Sequence, residues 1–334
     1  MHVLYLSSSV GLGHVTRDVV LGKELARRGA SITWISSGAA LAYLKLRGEK
    51  TAPISERLLS LGDAFELALK GGRVSLDPVS LYSIYRTIKH NSAELSSLNL
   101  EDYDVVIADE FWELLSRRSE RGFFISDFTR FRGRFNPFLS RLIERANSYL
   151  MQNLKNWRAY YVGLRPESDP YFRYFGQIFT ENARKALELG ATSGGGKLVT
   201  FGGTRAGLNI AKRLIREFPD ANLLSPYLTR SWHEPSEQLR SSDLVFTMCG
   251  YGTLLELAVL KKRAILFYPR NDFEQEDNAA LFASRSGYRA YPMDSFPKDI
   301  VSVAKKVMDE DPDPPSFVDA TNELAADIIS RVRA

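Results

Sequence analysis

Short apolar runs alternate with helical patterns through both halves of the chain, and few architectures accommodate that alternation. Residues 3–6 have the continuous apolar character of a strand buried on both faces, residues 14–28 form a helical pattern, and residues 31–35 predict a second strand. Together they predict a β-α-β unit with a right-handed crossover. We therefore predict an α/β protein built from doubly wound parallel sheets.

The alternation continues along the rest of the chain. Further strands are predicted at residues 104–108, 122–125, 197–201, 221–224, 243–247 and 264–268. Residues 41–100 have mostly helical character, and helices are predicted to end near Phe218 and Leu260 and to cover residues 275–286. The C-terminal half therefore repeats the architecture of the first half, although we find no repeated sequence.

The length of 334 residues fits two domains, since a domain commonly has roughly 100–200 residues. Residues 161–176 are rich in proline, glycine and aromatic residues and predict a boundary. We predict a Rossmann-like N-terminal domain over 1–165, a Rossmann-like C-terminal domain over 177–314, and a terminal helical segment over 315–334. A capping box formed by Ser316 and Asp319 is predicted to begin that last helix.

The composition excludes several classes of protein. With 44% hydrophobic and 25% charged residues, the chain is an ordinary globular protein rather than a disordered or fibrous one. Its single cysteine, Cys249, excludes an internal disulfide and any multi-cysteine metal centre. The four histidines show no metal-binding spacing, no run reaches the roughly 18 apolar residues of a membrane span, and we identify no signal peptide. We expect a cytoplasmic protein.

Arginine and lysine exceed acidic residues mainly over residues 117–173, and residues 128–139 interleave arginines with aromatic residues. This pattern suits an anionic membrane surface, so we also expect peripheral attachment to the inner face of the cell membrane. The alternative is a buried aromatic loop with solvated arginines. No nucleic-acid-binding fold accompanies the pattern. The predicted surface comprises Phe128, Arg130, Phe131, Arg132, Arg134, Phe135 and Phe138.

Three loops of the second half follow predicted strands, at the sheet edge where α/β proteins bind ligands. The first contains Gly202, Gly203 and Thr204, and the second contains Gly250, Gly252, Thr253 and Glu256. Glycines let the backbone approach a phosphate, and the following helix supplies N–H donors. A carboxylate one helical turn after Thr253 is placed to accept bonds from both hydroxyls of a ribose. The alternatives are tight turns and a solvent-exposed glutamate.

The third loop covers residues 269–279, where Glu274 and Gln275 are placed to bind sugar hydroxyls; the alternative is an acidic helix start without a ligand. In the first half, Gly11 and Gly13 precede His14 at the end of the first strand. The third glycine of a dinucleotide fingerprint is missing, and the loop is not a Walker A motif. His14 is a candidate general base, although a histidine capping its helix is an equal alternative.

Asp109 and Glu110 follow the predicted strand at 104–108, at the same edge of the sheet. Either carboxylate could orient His14 or pair with its charge, and the sequence does not choose between them. The alternative is a carboxylate that caps a helix.

Taken together and in this order, these motifs resemble GT-B glycosyltransferases, most closely the family of the bacterial peptidoglycan N-acetylglucosaminyltransferase. The resemblance covers nearly the whole chain and is strongest over residues 243–279. It implies two Rossmann-like domains that face each other across a cleft, with the acceptor on the N-terminal side, the nucleotide-sugar on the C-terminal domain, and a last helix that returns to the N-terminal domain. The histidine that precedes the CG pair in plant-type relatives is Met248 here.

The resemblance also implies roles for individual residues. Gly250, Gly252, Thr253 and Glu256 would bind the diphosphate and ribose, and His14 would act as base near the acceptor. The remaining implied donor contacts are the sugar contacts of Glu274, Gln275 and Asn278, and stacking of Trp232 on the base.

The predicted function is inverting transfer of a sugar from a UDP-sugar, first N-acetylglucosamine, to a hydroxyl of a lipid-linked acceptor. We expect neither a metal nor any other cofactor, because helix N-termini can stabilise the leaving diphosphate. One alternative is an enzyme of the same fold that hydrolyses or epimerises a nucleotide-sugar without a separate acceptor. Another is a non-catalytic nucleotide-sugar-binding subunit.

Overall fold

Two parallel β-sheets and the helices that connect their strands dominate the computed structural model, which describes residues 1–133, 136–192, 194–202, 205–225, 228 and 236–333. The strands are β1 (His2–Ser7), β2 (Ser31–Ile35), β3 (Leu69–Lys70), β4 (Arg73–Val74), β5 (Val105–Asp109), β6 (Gly122–Ser126), β7 (Arg158–Tyr161), β8 (Phe172–Tyr174), β9 (Gly196–Thr200), β10 (Asn222–Leu224), β11 (Ser242–Met248), β12 (Arg263–Tyr268) and β13 (Tyr288–Pro292).

The helices connect these strands in the alternating manner that the sequence predicts. They are α1 (Gly13–Arg27), α2 (Gly38–Leu46), α3 (Leu61–Glu66), α4 (Pro78–Leu95), α5 (Pro137–Leu154), α6 (Glu181–Leu189), α7 (Leu208–Glu217), α8 (Ser236–Ser241), α9 (Tyr251–Val259), α10 (Phe273–Ala283), α11 (Ile300–Met308) and α12 (Thr321–Arg333). Within the part of the chain that the structure describes, no helix has both the length and the hydropathy to span a bilayer.

The chain divides into two units. Unit 1 comprises Met1–Leu67, Leu76–Ile178 and residues 318–333, and unit 2 comprises Ala68–Ser75 and Phe179–Phe317. The C-terminal helix α12 is therefore part of unit 1. The short hairpin β3–β4, which interrupts the sequence of unit 1, is part of unit 2.

Unit 1 contains a six-stranded parallel sheet in the order β2-β1-β5-β6-β7-β8. The central strand β1 is buried on both sides, since Val3 and Tyr5 face a core shared with α1 and α12, whereas Leu4 and Leu6 face a core shared with α4 and α5. This double burial explains why the strand is continuously apolar. The doubly wound arrangement predicted from the sequence is confirmed.

Unit 2 contains a five-stranded parallel sheet in the order β10-β9-β11-β12-β13. In each unit the strand order reverses at one point: between β1 and β5 in unit 1, and between β9 and β11 in unit 2. Parallel α/β sheets bind ligands beyond the carboxyl ends of the strands at such points. The two reversal points therefore define where functional residues are expected.

Several local predictions need correction. Strands β7 and β8 lie at or within the 161–176 stretch that we expected to be a boundary, and they extend the first sheet. Helix α12 begins at Thr321, so the predicted capping box at Ser316 is wrong. Instead, the Asp319 carboxylate accepts a hydrogen bond from the Thr321 N–H at 3.1 Å. The strand β13 was not predicted.

Candidate functional site

The reversal point of the first sheet brings His14 beside two carboxylates. His14 lies in the first turn of α1, Asp109 is the last residue of β5, and Glu110 follows it. The imidazole Nδ1 is 3.1 Å from Asp109 Oδ1, and Nε2 is 3.7 Å from Glu110 Oε2. His14 is 7% exposed and Asp109 is fully buried, so the pair lies in a low-dielectric environment.

Arg17 holds this pair in place. It lies one helical turn after His14, and its guanidinium donates from Nε to Asp109 Oδ2 at 2.8 Å and from Nη2 to Oδ1 at 2.7 Å. Its Nη1 donates to Asp127 Oδ2 at 2.6 Å. The bidentate geometry is the strong form of an arginine–carboxylate pair, so Asp109 has little freedom to move.

The surrounding charges determine the protonation of Asp109. Burial alone would raise the pKa of this carboxyl, but the charge of Arg17 and then that of His14 outweigh burial and hold its pKa well below the usual range. An ionised Asp109 accepts hydrogen bonds only. His14 Nδ1 is 3.1 Å from Asp109 Oδ1, which accepts, and 3.0 Å from Arg17 Nη2, which can only donate, so whether Nδ1 donates or accepts depends on the tautomer of the ring.

Glu110 has the opposite character. Burial raises its pKa well above the usual value, and the charges of Asp127 and Asp109 add to this effect. Its Oε1 accepts hydrogen bonds from Ser126 Oγ at 2.8 Å and from the Asp127 N–H at 3.0 Å. Its backbone φ of +45° is unusual for a residue other than glycine, and strained conformations of this kind concentrate at functional sites.

His14, Glu110 and Asp127 also have ligand atoms that all lie within 4.8 Å of one another, a spacing that a metal ion could bridge. Arg17 Nη1 already pairs with Asp127 Oδ2 at 2.6 Å. Sequence reasoning missed Arg17 and Asp127. Their positions carried a signal, because Arg17 is three residues after His14 on one helix face and Asp127 lies two residues after the strand predicted at 122–125.

The predicted loop glycines, Gly11 and Gly13, come just before His14 in the chain. Gly11 has φ of +70°, and neither Gly11 nor Gly13 has an atom near the position of a Cβ, so both face open space. Helix α3 packs on the same loop: the Leu61 N–H donates to Ser9 Oγ at 3.0 Å, and a Cβ at Gly62 would lie 2.1 Å from the Ser9 carbonyl oxygen.

In unit 2, the second glycine loop leads directly into α9. Gly250 is the N-cap of this helix, and a Cβ at this position would meet nothing within 4 Å, so a ligand can approach the start of the helix, where N–H groups point outward. A side chain at Gly252 would approach Thr180 Cγ2 at 3.1 Å. Thr253 is half-buried and Glu256 is 6% exposed. Glu256 is therefore not the exposed helix glutamate of the alternative interpretation.

The third loop lies against the second. Asn278 Nδ2 donates to the carbonyl oxygen of Cys249 at 3.1 Å and to Glu274 Oε1 at 3.3 Å. Gln275 Nε2 donates to Asp272 Oδ2 at 3.0 Å, and among the described residues its buried Oε1 has no hydrogen-bond partner. The structure thus brings Glu274, Gln275 and Asn278 together beside the loop that contains Gly250.

The first glycine loop is described only in part. Gly202 follows β9 with φ of +62°, at the reversal point of the second sheet. Three predicted donor contacts, Gly203, Thr204 and Trp232, lie outside the described residues.

The arginine-aromatic segment is partly structural. Phe128 is buried, and Trp112 packs against both Phe128 and Phe131, with ring centroids 5.6 and 5.2 Å apart. The prediction that Phe128 forms part of a membrane-contacting surface is therefore wrong. Arg130 pairs with Asp169 at 3.3 Å and Arg132 with Glu167 at 3.6 Å, whereas Phe138 is 68% exposed. Arg134 and Phe135 lie outside the described residues.

The chain is similar in sequence to known glycosyltransferases. Residues 226–332 match the model of the glycosyltransferase family 28 C-terminal domain. An uncharacterized glycosyltransferase of Methanosarcina acetivorans is 21% identical over 359 aligned residues, which cover 93% of this chain and 89% of the relative.

Solved structures with the same fold include SsfS6 of Streptomyces sp. SF2575 in complex with thymidine diphosphate, which has a TM-score of 0.56 and 15% identity and covers 99% of this chain and 96% of its own. MurG of Acinetobacter baumannii has a TM-score of 0.51 and 13% identity, with coverage of 98% and 99%. These likenesses show that the fold is GT-B. Together with the family 28 match, they identify the chain as a glycosyltransferase of the GT-B type.

Proposed function

We propose that this glycosyltransferase moves N-acetylglucosamine from its UDP donor to a hydroxyl of a lipid-linked acceptor, with inversion and without a metal. The observation that carries the proposal is the His14–Asp109 pair, which Arg17 holds at the reversal point of the first sheet. In this proposal neutral His14 donates from Nδ1 to Asp109 and carries its lone pair on Nε2, and a base held in one orientation in this way is what activation of an acceptor hydroxyl requires.

The proposed reaction is a single displacement. His14 Nε2 takes the proton of the acceptor hydroxyl as that oxygen forms a bond to the anomeric carbon. The bond from the anomeric carbon to the diphosphate oxygen breaks, and the nucleoside diphosphate leaves with the electron pair. Asp109 stabilises the imidazolium that forms, and attack opposite the leaving group inverts the anomeric configuration. General base catalysis of this kind contributes roughly 10²–10⁴-fold.

Donor binding is assigned to unit 2. The N–H groups at the start of α9, beside Gly250, are suited to the diphosphate, and they stabilise its charge without a cation. Glu256 is assigned to the ribose hydroxyls. Glu274, Gln275 and Asn278 are assigned to the sugar, and the buried, unpaired Oε1 of Gln275 offers an acceptor for one of its donors.

The lipid acceptor is supported by apolar surface on unit 1. Helix α5 exposes Phe138, Arg141 and Arg145, and Leu142 and Ile143 are only half-buried. An exposed apolar strip beside arginines suits an anionic lipid surface. Vesicle flotation tests this: we expect binding to phosphatidylglycerol vesicles, less binding to phosphatidylcholine vesicles, and weaker binding for Phe138→Ser. Equal recovery of protein with and without vesicles would remove this support.

Label transfer tests the proposed donor and acceptor together. The protein is incubated with a membrane-lipid extract and labelled UDP-N-acetylglucosamine, UDP-glucose or thymidine diphosphate-glucose, with and without EDTA. We expect label in lipid from UDP-N-acetylglucosamine, unchanged by EDTA and lost in Glu256→Ala. Transfer only from another donor would correct the donor, loss with EDTA would overturn the metal-independent mechanism, and release of free sugar alone would indicate a hydrolase.

A further inference from the structure

The hairpin β3–β4 belongs to unit 2, although more than a hundred residues of unit 1 separate it in sequence from the rest of that unit. Its strands pair in the register Leu69↔Val74 and Lys70↔Arg73, joined by the two residues Gly71 and Gly72. Both glycines have positive φ, +58° and +81°, as the tight two-residue turn of a hairpin requires. A two-stranded hairpin is not stable alone, so its neighbours determine its position.

Those neighbours belong to the loop after β12. The Arg270 N–H donates to the Gly72 carbonyl oxygen at 3.0 Å, and the Val74 N–H donates to the Arg270 carbonyl oxygen at 2.7 Å. The hairpin therefore binds both backbone groups of Arg270. The next residue, Asn271, has φ of +66°, and its N–H donates to Glu276 Oε1 at 2.9 Å.

An ion cluster fixes the side chains at the same place. Asp294, which follows β13, accepts from Arg73 Nη2 at 2.6 Å and from Arg270 Nε at 3.0 Å. The hydrogen bonds from Arg270, and then those from Arg73, lower the pKa of Asp294 to about 2 against a smaller opposing effect of burial. This carboxylate thus joins the hairpin, the loop after β12 and the loop after β13.

The hairpin packs closely against Met293 and Asp294 at Gly72. A Cβ at Gly72 would lie 2.8 Å from both Met293 Cβ and the Asp294 nitrogen, whereas a Cβ at Gly71 would meet nothing within 4 Å. The two adjacent glycines share the same turn and the same sign of φ but differ in this contact. They therefore form a matched pair for mutation.

The loop that the hairpin holds leads directly into the residues assigned to the donor sugar. Arg270 is two residues before Asp272, which caps α10 and binds the Gln275 side chain, and four residues before Glu274. We infer that the Ala68–Ser75 hairpin is a positioning element of the donor site: it fixes the loop from Arg270 to Gln275 and so sets the affinity for the sugar part of the donor. This inference rests on the proposed function of that loop.

The test compares Gly72→Ala with Gly71→Ala. Hydrogen exchange of the Arg270 and Asn271 amides, measured without ligand, reports whether the hairpin holds the loop. Calorimetric titration with UDP and with UDP-N-acetylglucosamine reports the sugar part of the affinity. We expect faster exchange in Gly72→Ala than in Gly71→Ala, and a loss of about tenfold in affinity for the nucleotide-sugar with UDP affinity little changed.

A second pair of variants covers the case in which Gly72→Ala does not fold. Arg73→Ala removes one of the two arginines that pair with Asp294, and Arg73 is exposed. Arg285→Ala is the control, because it removes a surface ion pair with Asp313 elsewhere in unit 2. Arg73→Ala is expected to show the loop and sugar effects, and Arg285→Ala neither.

Two outcomes would overturn the inference. The first is equal amide exchange within each pair of variants, which would show that the hairpin does not hold the loop. The second is an unchanged ratio of UDP-N-acetylglucosamine to UDP affinity, which would separate the loop from sugar binding. If the wild type binds neither compound, the proposed donor is wrong, and the ligand-free exchange measurement still decides whether the hairpin fixes the loop.

Discussion

Arg17 binds both carboxylate oxygens of Asp109, with Nε 2.8 Å from Oδ2 and Nη2 2.7 Å from Oδ1. Both side chains are almost completely buried, at 1% and 0% exposure. A buried carboxylate requires such a partner, because an unpaired charge in a low-dielectric interior is strongly unfavourable. The pair therefore serves two purposes: it permits Asp109 to be ionised beside His14, and it fixes the direction of the carboxylate.

Replacing Arg17 tests the first purpose. Arg17→Met leaves the Asp109 and Asp127 carboxylates buried without their cation, so we expect the free energy of unfolding to fall by about 3–5 kcal/mol. Arg27→Ala on the same helix is the control, since Arg27 is 77% exposed and its pair with Glu24 contributes little. Urea denaturation measures both variants. Similar stabilities for the two variants would contradict the assigned importance of the buried pair.

Asp109→Asn tests the second purpose. An amide can donate to His14 Nδ1 and so stabilise the tautomer whose Nε2 carries the proton, and kcat should fall by roughly 10²–10⁴-fold. Donor affinity should be unchanged, because the residues proposed to bind the donor lie in unit 2. Steady-state kinetics and calorimetric titration separate the two quantities. A loss confined to KM for the donor would argue against an orienting role for Asp109.

The raised pKa of Glu110 predicts how the free energy of unfolding depends on pH. Its pKa is raised in the folded protein, so between its ordinary value and the raised value the folded state is protonated while the unfolded state is ionised. Unfolding then releases a proton, and the free energy of unfolding decreases as pH rises through this window. Glu110→Gln has no carboxyl at this position and so does not lose stability in this way. The free energy of unfolding of Glu110→Gln, relative to that of wild type, should therefore increase from about pH 5 to about pH 8.

Urea titrations at both pH values measure this difference. Glu144→Gln is the control, because Glu144 is exposed on α5. A constant offset between Glu110→Gln and wild type at the two pH values would show that Glu110 is ionised in the folded protein.

Glu256 is predicted to bind the nucleotide. Since it is buried one helical turn after Thr253, Glu256→Gln removes a charged acceptor without creating a cavity, and hydrogen bonds to charged groups contribute about 1.5–3 kcal/mol. We therefore expect UDP affinity to fall by roughly ten- to a hundredfold. Glu188→Gln, exposed on α6, is the control. Unchanged UDP affinity in Glu256→Gln would move ribose recognition elsewhere.

The sequence predicted the central strands because they are buried on both faces and therefore continuously apolar. It missed β7, β8 and β13, which contain arginines and tyrosines and so lack that pattern. It also placed the start of α12 too early, because Ser316 and Asp319 match a capping pattern that the chain does not use.

The candidate site also contains residues that the sequence could predict and residues that it could not. Residues near the carboxyl ends of strands, such as Asp109 at the end of β5 and His14 at the start of the helix after β1, could be predicted because a parallel sheet gathers those positions at one edge. The bonds of Arg17 to Asp109 and Asp127 connect residues 92 and 110 positions apart, and no local pattern specifies them. The hairpin around Gly72 is similar, since its partner Arg270 is distant in sequence and only the fold brings the two together.

The most direct test of the account is sugar transfer by His14→Ala, with UDP affinity measured on the same sample. His90→Ala is the control, because His90 lies outside the site and its Nε2 is 3.0 Å from the Arg57 carbonyl oxygen in an exposed contact. If His14 is the base, His14→Ala should bind UDP like wild type but lose transfer by roughly 10²–10⁴-fold, while His90→Ala remains active. Transfer by His14→Ala at the rate of His90→Ala would contradict the assignment of His14 as the base.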